Sequence, residues 1–233
     1  MNFHFLINSR GRPFLLSQSL ESIFQNAKNP DDIYVSVRYD IDDPLTVRFV
    51  SSNERKWKNV TWVSGERPIN LHNSFNVMAK TSLASNMWPW NDDAMMLTLN
   101  YDEIILNKIR EFNKDIYLCN TDDDSIDRDR SKGYSAFPVI SRKGVEVLGY
   151  VMLEPFVGLG GDSSIFRIYK AIDRIIDCSD VKVGHILHRD IYTINNPDST
   201  AAEMRAKTSR NFIDPYTCNL DEEIEKITRY LNE

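Results

Sequence analysis

Apolar residues fall in short runs separated by stretches of helical period. Phe3-His4-Phe5-Leu6-Ile7 is a continuous apolar run of the length of a buried strand. After the turn Asn8-Ser9-Arg10-Gly11-Arg12-Pro13, the residues Leu15, Leu16, Leu20, Ile23 and Phe24 recur at helical spacing, and Pro13 suits a helix N-terminus. Asn29-Pro30 closes that helix. Ile33–Val37 is the next strand, ending in an acidic turn, Asp40-Ile41-Asp42-Asp43-Pro44. A third strand, Val60–Val63, ends at Gly65. A helix from about Asn70 to Leu83 follows, then a strand Met87–Trp90 that runs into Asn91-Asp92-Asp93. Ile104, Ile105, Leu106, Ile109 and Phe112 mark another helix, and Asp115–Cys119 another strand.

The second half is less regular. Thr121–Lys132 reads as an acidic, polar loop and Phe137–Ser141 as a strand. Asp162 precedes a helix carrying Ile165, Ile168, Ile172, Ile175 and Ile176, and Val181–His185 is a late strand. Asn195–Tyr216 is polar and extended. Leu220, Ile224, Ile227 and Leu231 line one face of a terminal helix, with Asn219 and Glu222 placed for a capping box. Strands alternating with helical crossovers predict an α/β fold, a mostly parallel sheet with helices on both faces.

Composition narrows the classes. The chain has 233 residues, with 28 Lys and Arg against 34 Asp and Glu, a net charge of −6. That balance argues against a nucleic-acid partner, which needs a basic face, but allows a local basic pocket for a phosphorylated small molecule. Cys119, Cys178 and Cys218 are too few and too scattered for a disulfide scaffold or a zinc knuckle, so free thiols in a reducing, cytoplasmic setting are expected. No apolar run approaches the roughly 18 residues of a membrane span. Met1–Asn8 has no basic start and reads as a strand rather than a signal peptide.

Open α/β sheets bind ligands at the carboxyl ends of their strands, and the polar clusters fall there. Ser9-Arg10-Gly11-Arg12 offers two guanidinium forks, a permissive glycine and a helix N-terminus: an anion or nucleotide site, or else a solvated turn. The Asp40, Asp42, Asp43 cluster is either an acceptor for base or ribose groups or a solvated acidic turn. In Asn91-Asp92-Asp93, adjacent carboxylates need a cation or a donor-rich ligand, and Mg²⁺ or Mn²⁺ takes such oxygen ligands together with substrate phosphates. Asn91 is also suited to capping. Gly158-Leu159-Gly160-Gly161-Asp162 allows close backbone approach. Asp162 reads as a helix cap, a general base held at a helix tip, or both. In His185-Ile186-Leu187-His188, two histidines three apart on a strand face opposite sides, so one at most meets a given site. His188, at the carboxyl end, is preferred. His4 and His72 are assigned to structure. The Asp122–Asp129 run has the composition of a calcium loop, but it has Asp127 and Gly133 where that loop needs Gly and Glu.

Taken in order, these segments resemble family 2-like glycosyltransferases of the GT-A fold, nucleotide-diphospho-sugar transferases with a Rossmann-like, mostly parallel sheet. The likeness runs through NSRGRPFLLSQSLESI, YVSVRYDIDDP, WVSGERPINLHNSFN, WNDDAMMLTLNYDEII, FPVISRKGVEVLGY, GGDSSIFRIYKAIDRI and VGHILHRD, covering roughly residues 3–190. It implies a nucleotide-sugar-binding half over about 1–118, an acceptor or catalytic half over about 119–190, and a C-terminal extension over 191–233. It puts Ser9, Arg10, Arg12, Asp40 and Asp42 on the donor nucleotide, with Asn76 nearby. Asn91 and Asp92 fall within the family's metal-binding motif, whose first position is Asn here rather than Asp. Asp93 and His188 are implied as ligands of Mn²⁺ or Mg²⁺, and Asp162 as the catalytic base of an inverting transfer to a carbohydrate or other hydroxyl acceptor.

Three rivals stand beside it. A sugar-phosphate nucleotidyltransferase needs a longer glycine-rich opening loop than Gly11 supplies. A haloacid-dehalogenase-like phosphatase needs an apolar run directly before its first Asp, which Arg38 interrupts before Asp40. A catalytically inactive sugar-nucleotide-binding module leaves Asp92, Asp93, Asp162 and His188 without a use.

Overall fold

A computed structural model describes residues 2–68, 70–123, 133–154, 160–185 and 218–233 of the chain. Its strands are β1 (Phe3–Ser9), β2 (Ile33–Asp40), β3 (Val60–Gly65), β4 (Asn86–Asn91), β5 (Ala94–Met96), β6 (Leu118–Asp123), β7 (Val139–Ser141) and β8 (Ile175–His185). Its helices are α1 (Pro13–Asn26), α2 (Pro44–Asn53), α3 (Leu71–Lys80), α4 (Tyr101–Phe112), α5 (Arg142–Leu148), α6 (Gly161–Ala171) and α7 (Asp221–Asn232). The strands form one sheet in the order β3-β2-β1-β4-β7-β6-β8-β5. The β3-β2-β1-β4 block and the β6-β8 pair are parallel, while β7 and β5 run antiparallel to their neighbours.

The order creates a switch point. From β1 the chain builds outward through β2 and β3, then returns to lay β4 on the other side of β1. Loops leaving β1 and β4 therefore diverge, and the crevice between them is where an open α/β sheet takes its ligand. Register places Ser9, Asp40, Gly65 and Asn91 along that same edge.

Several elements differ from the expectations above. Asp40 is the last residue of β2 rather than part of a turn, because the strand runs on through Arg38 and Tyr39. Helix α2 starts at Pro44, with Asp43 as its cap, a signal available in the Asp-Pro pair. Strand β6 begins three residues later than the expected Asp115–Cys119 strand, so Thr121–Asp123 are strand, and the rest of the acidic loop lies outside the described residues. Helix α6 ends at Ala171. Asp173 turns the chain through a left-handed conformation (φ 55°), and Ile175 and Ile176 open β8 instead of continuing the helix. The cap of α6 is Gly160 (φ 94°), which places Asp162 in the first helical turn. Leu220 caps α7, and the Asn219 side chain accepts from the Asp221 N–H at 2.8 Å. The polar stretch Asn195–Tyr216 is outside the described residues.

Two apolar clusters cover the two faces. One packs α1 and α4 over Phe3, Phe5, Ile7, Trp88 and Trp90. The other packs α3, α5, α6 and α7 around Leu6, Met87, Leu118 and Ile140. Trp88 and Trp90 are fully buried, and their indole N–H groups donate to the Phe137 carbonyl (3.0 Å) and Ser19 Oγ (2.9 Å). They are core residues, unavailable for stacking on a sugar. Cys119 and Cys178 are buried free thiols, and Cys218 is half-buried.

Helix α3 grips the segment that leads to α6. His72 and Asn76 are four apart, hence on one helix face. His72 Nδ1 donates to the Leu153 carbonyl (2.8 Å). Asn76 Nδ2 donates to the Met152 carbonyl (2.8 Å), and Asn76 Oδ1 accepts from the Val151 and Met152 N–H groups (both 2.9 Å). Asn70 caps α3 and also donates to the Glu154 carbonyl. The His72 ring packs against Gly161 so closely that a Cβ there would lie 2.6 Å from Cε1.

On the other side of α3, His4 bridges two hydroxyls, with Nδ1 2.8 Å from Ser82 Oγ and Nε2 2.8 Å from Ser36 Oγ. Burial lowers its pKa to about 4. A histidine held below its unfolded value of about 6.5 contributes stability that is complete above that pH and is lost as pH falls toward 4, by about 3 kcal/mol in all. Urea midpoints measured from pH 7.5 down to 4 are expected to fall over this window, and His4→Gln is expected to flatten the profile; an unchanged slope would remove His4 from this account. Gly161→Ala is expected to cost about 1–3 kcal/mol of stability, because the ring it meets is buried and hydrogen-bonded. Thermal unfolding reads this, and an unchanged midpoint would show that His72 can move aside.

Candidate functional site

The β1–α1 turn is held from both sides. Gly11 adopts φ 70°, a conformation cheap only for glycine, and its N–H donates to Asp43 Oδ2 at 2.7 Å. The other oxygen of Asp43 caps α2 through the Leu45 and Thr46 N–H groups. The turn and the start of α2 therefore share one buried carboxylate. Arg10 and Arg12, on either side of Gly11, point to opposite sides of β1.

Arg10 reaches the end of β2. Its Nη1 donates to Asp40 Oδ2 at 3.1 Å, and its guanidinium also pairs with Asp42. Asp40 receives a second guanidinium, Arg38, which also donates to the Glu66 carbonyl. Burial works against the Arg10 charge, but the hydrogen bonds with Asp42 and Asp40 outweigh it and raise its pKa. The hydrogen bond from Arg10 in turn lowers that of Asp42.

Arg12 reaches the end of β4. Its Nη1 donates to Asp93 Oδ2 at 2.8 Å and its Nη2 to Asp92 Oδ1, one fork bridging two successive carboxylates. Ser9 Oγ donates to the second oxygen of Asp92 at 2.8 Å. The Asp92 and Asp93 side chains are 0% and 4% exposed. Burial pushes the Asp92 carboxyl up, opposed by Arg12 and reinforced by the charge of Asp93. Asn91 closes β4 in register with Asn8 of β1.

The structure thus places two polar clusters side by side at the switch point: Arg10 with Asp40 and Asp42, and Ser9 and Arg12 with Asp92 and Asp93. The arginines expected to await an anion pair with the acidic strand ends. Asn76 is not on this surface: its amide is committed to the 151–152 backbone, so it acts on the position of that segment. Asp162 lies in the first turn of α6, with its Oδ1 accepting from the Ser163 N–H at 2.9 Å. Helix α3 ties the end of β1 to the start of α6. Asn8 donates to the Leu71 carbonyl (3.4 Å), and the next residue, His72, supports Gly161. Burial lowers the His72 pKa against the Leu153 carbonyl and the Asp162 charge, which keeps the ring neutral beside Asp162. His188 lies outside the described residues; for His185 the backbone at the end of β8 is described.

One residue escaped the sequence reading. Arg38 is two positions before Asp40 on β2, hence on the same face, and this spacing was the available signal. His72 is structural, as expected, buried and packed between the Leu153 carbonyl and Gly161.

Asp92 and Asp93 suit a divalent cation by type: two carboxylates completed by substrate phosphates is a usual setting for Mg²⁺ and its relatives. Among the described residues no group of three or more His, Cys, Asp or Glu side chains gathers to hold a metal by itself. Nor is any described helix long and apolar enough to cross a membrane.

No protein-family model matches the chain, and no curated protein matches it. Solved structures do. Residues 1–349 of S. aureus TarS superpose with a TM-score of 0.64 at 14% identity, covering 79% of this chain and 60% of that one. The same fragment in complex with UDP-GlcNAc gives 0.64 at 13%, covering 79% and 58%. The mannosyltransferase PcManGT from Pyrobaculum calidifontis, in complex with GDP-Man and Mn²⁺, gives 0.63 at 14%, covering 97% and 68%. The chain spans about 60% of the length of the TarS fragment. At these identities the likeness is one of fold. With the sheet order and the switch-point edge described above, it establishes that the chain has the fold of the GT-A glycosyltransferases.

Proposed function

We propose that the chain transfers a sugar from a nucleotide-diphosphate donor to the hydroxyl of a carbohydrate or other acceptor, with inversion at the anomeric carbon. The observation that carries this reading is the pair of arginine and carboxylate clusters at the switch point of a GT-A sheet. The donors seen with structural neighbours, UDP-GlcNAc and GDP-Man, are of the class these clusters suit.

Ser9, Arg10 and Arg12 supply hydroxyl and guanidinium donors for ribose and diphosphate oxygens. Asp40 and Asp42 accept from base and ribose groups, and Asn91 and Asp92 complete the donor side at the end of β4. Asp93, with His188 as a further ligand, would hold a divalent cation, Mn²⁺ or Mg²⁺, which would neutralise charge on the leaving diphosphate. Asp162, fixed in the first turn of α6, takes the proton of the acceptor hydroxyl. The acceptor oxygen then bonds to the anomeric carbon as the bond from that carbon to the diphosphate oxygen breaks, and the diphosphate leaves with the electron pair. His72 and Gly161 set where the Asp162 carboxylate sits, and the α3 grip on residues 151–154 sets where α6 begins.

A panel of sugar nucleotides that includes UDP-GlcNAc and GDP-Man, with Mn²⁺, tests the reading by donor turnover. Asp162→Asn is expected to lower turnover by about 100-fold or more while leaving donor affinity largely intact; full turnover would take the base role from Asp162. Excess EDTA is expected to abolish turnover and added Mn²⁺ to restore it. Undiminished turnover in EDTA would count against the Asp93 assignment, and turnover of simple phosphate esters alone would favour a phosphatase.

A further inference from the structure

Strand register sets three polar side chains in one row. Asn8 of β1 lies between Arg38 of β2 and Asn91 of β4, each its direct partner across the sheet, at the carboxyl edge. Asn8 is two residues after Leu6 and shares its face, the one covered by α3 and α6. Its Nδ2 donates to the Leu71 carbonyl at 3.4 Å, which fixes which end of the amide is the donor. Its Oδ1 is buried and has no hydrogen-bond partner among the described residues. Nearly all buried acceptors are satisfied, so one that is not, at the edge where an open α/β sheet takes its ligand, is placed to accept from that ligand. The residue as a whole is half-buried, the Leu71 bond is long, and the last torsion of an asparagine is broad. A small turn of the amide therefore brings Oδ1 to the crevice.

The chemistry of the donor that fits Oδ1 narrows what it belongs to. Phosphate oxygens only accept, so Oδ1 would repel a diphosphate, whose donors are Ser9, Arg10 and Arg12. A nucleobase N–H or a sugar hydroxyl remains. The base acceptors assigned above, Asp40 and Asp42, belong to the end of β2. Asn8 instead meets the first turn of α3, and the next residue of that turn, His72, packs on Gly161 beside Asp162. The anomeric carbon has to come within reach of an acceptor oxygen held by Asp162, which sets the transferred sugar on the Asn8 side of the crevice. We infer that Asn8 reads the transferred sugar, its Oδ1 accepting a hydrogen bond from one sugar hydroxyl. This rests on the nucleotide-sugar reading above. A site built around such an acceptor rejects a sugar that lacks the hydroxyl, because the oxygen then stays unpaired. Asn8 is a specificity residue and takes no part in the proton transfer.

The test uses the full chain and calorimetry, with UDP-GlcNAc and UDP, with GDP-Man and GDP, and with the monodeoxy forms of each sugar nucleotide, all in Mn²⁺. For the more tightly bound of the two sugar nucleotides, Asn8→Ala is expected to lower affinity about tenfold and to leave binding of the matching nucleoside diphosphate within about twofold. One monodeoxy donor is expected to bind about tenfold more weakly than its parent to the wild type and equally well to Asn8→Ala, which couples the residue to that hydroxyl. A merely structural role would leave the monodeoxy penalty the same in both proteins. Asn8→Ser keeps a polar group but withdraws the acceptor, and gives the same readings if the alanine variant does not fold. Equal losses for sugar nucleotide and nucleoside diphosphate, or monodeoxy penalties that do not differ between wild type and variant, overturn the inference and leave the nucleotide-sugar reading standing. Failure of all four parent compounds to bind the wild type defeats both.

Discussion

The constraint on which the site depends is electrostatic. Parallel strands β2, β1 and β4 end side by side, with buried carboxylates at the last residue of β2 and directly after β4. Asp40 and Asp92 are 1% and 0% exposed, and buried charges of one sign persist only when paired. The turn after β1 solves this with two arginines one residue apart on either side of a glycine. Because they diverge, each strand end gets its own counter-charge, and the central strand becomes the tie between its neighbours. Removing one partner of such a buried pair costs about 3–5 kcal/mol. The turn is thus a structural staple as well as the candidate donor site.

This explains the acidic balance of the chain in a different way from the sequence. Part of the −6 was expected to be a cation site waiting to be filled. In the structure Arg10 and Arg38 pair with Asp40, and Arg12 pairs with Asp92 and Asp93.

Much of the sheet was legible because its strands are short apolar runs and its helices carry strong one-faced patterns. The parallel core, helices α1, α3 and α4, and the grouping of polar residues at one edge follow from those signals. What was missed has a local cause. Helix α2 has a weak apolar stripe and is set by its Asp-Pro start. Strand β5 has three residues and exists because β8 pairs with it. Ile175 and Ile176 continue a helical spacing in sequence but lie beyond the left-handed turn at Asp173, which side-chain periodicity does not encode. At the site, residue types revealed which groups meet but not their state. Arg10 and Arg12 read as anion binders from the turn alone, whereas their carboxylate partners come from strands 30 and 80 residues away. Asn76 read as a ligand-facing residue because its targets, the 151–152 backbone groups, leave no mark in sequence.

The grip of α3 on residues 151–154 also bears on how the chain can be divided. The sequence separates a donor half from an acceptor half near residue 118. The hydrogen bonds interleave them. Strand β7 of the second half lies beside β4 of the first, β5 of the first lies beside β8 of the second, and Asn76 satisfies backbone groups across the divide. Cut at that boundary, neither piece could satisfy its own backbone, and each would carry a sheet edge and a polar helix face shaped for the other. The donor and acceptor halves that the sequence suggests are therefore interleaved in one sheet, and a chain assembled from fragments is expected to recover both pieces together or neither.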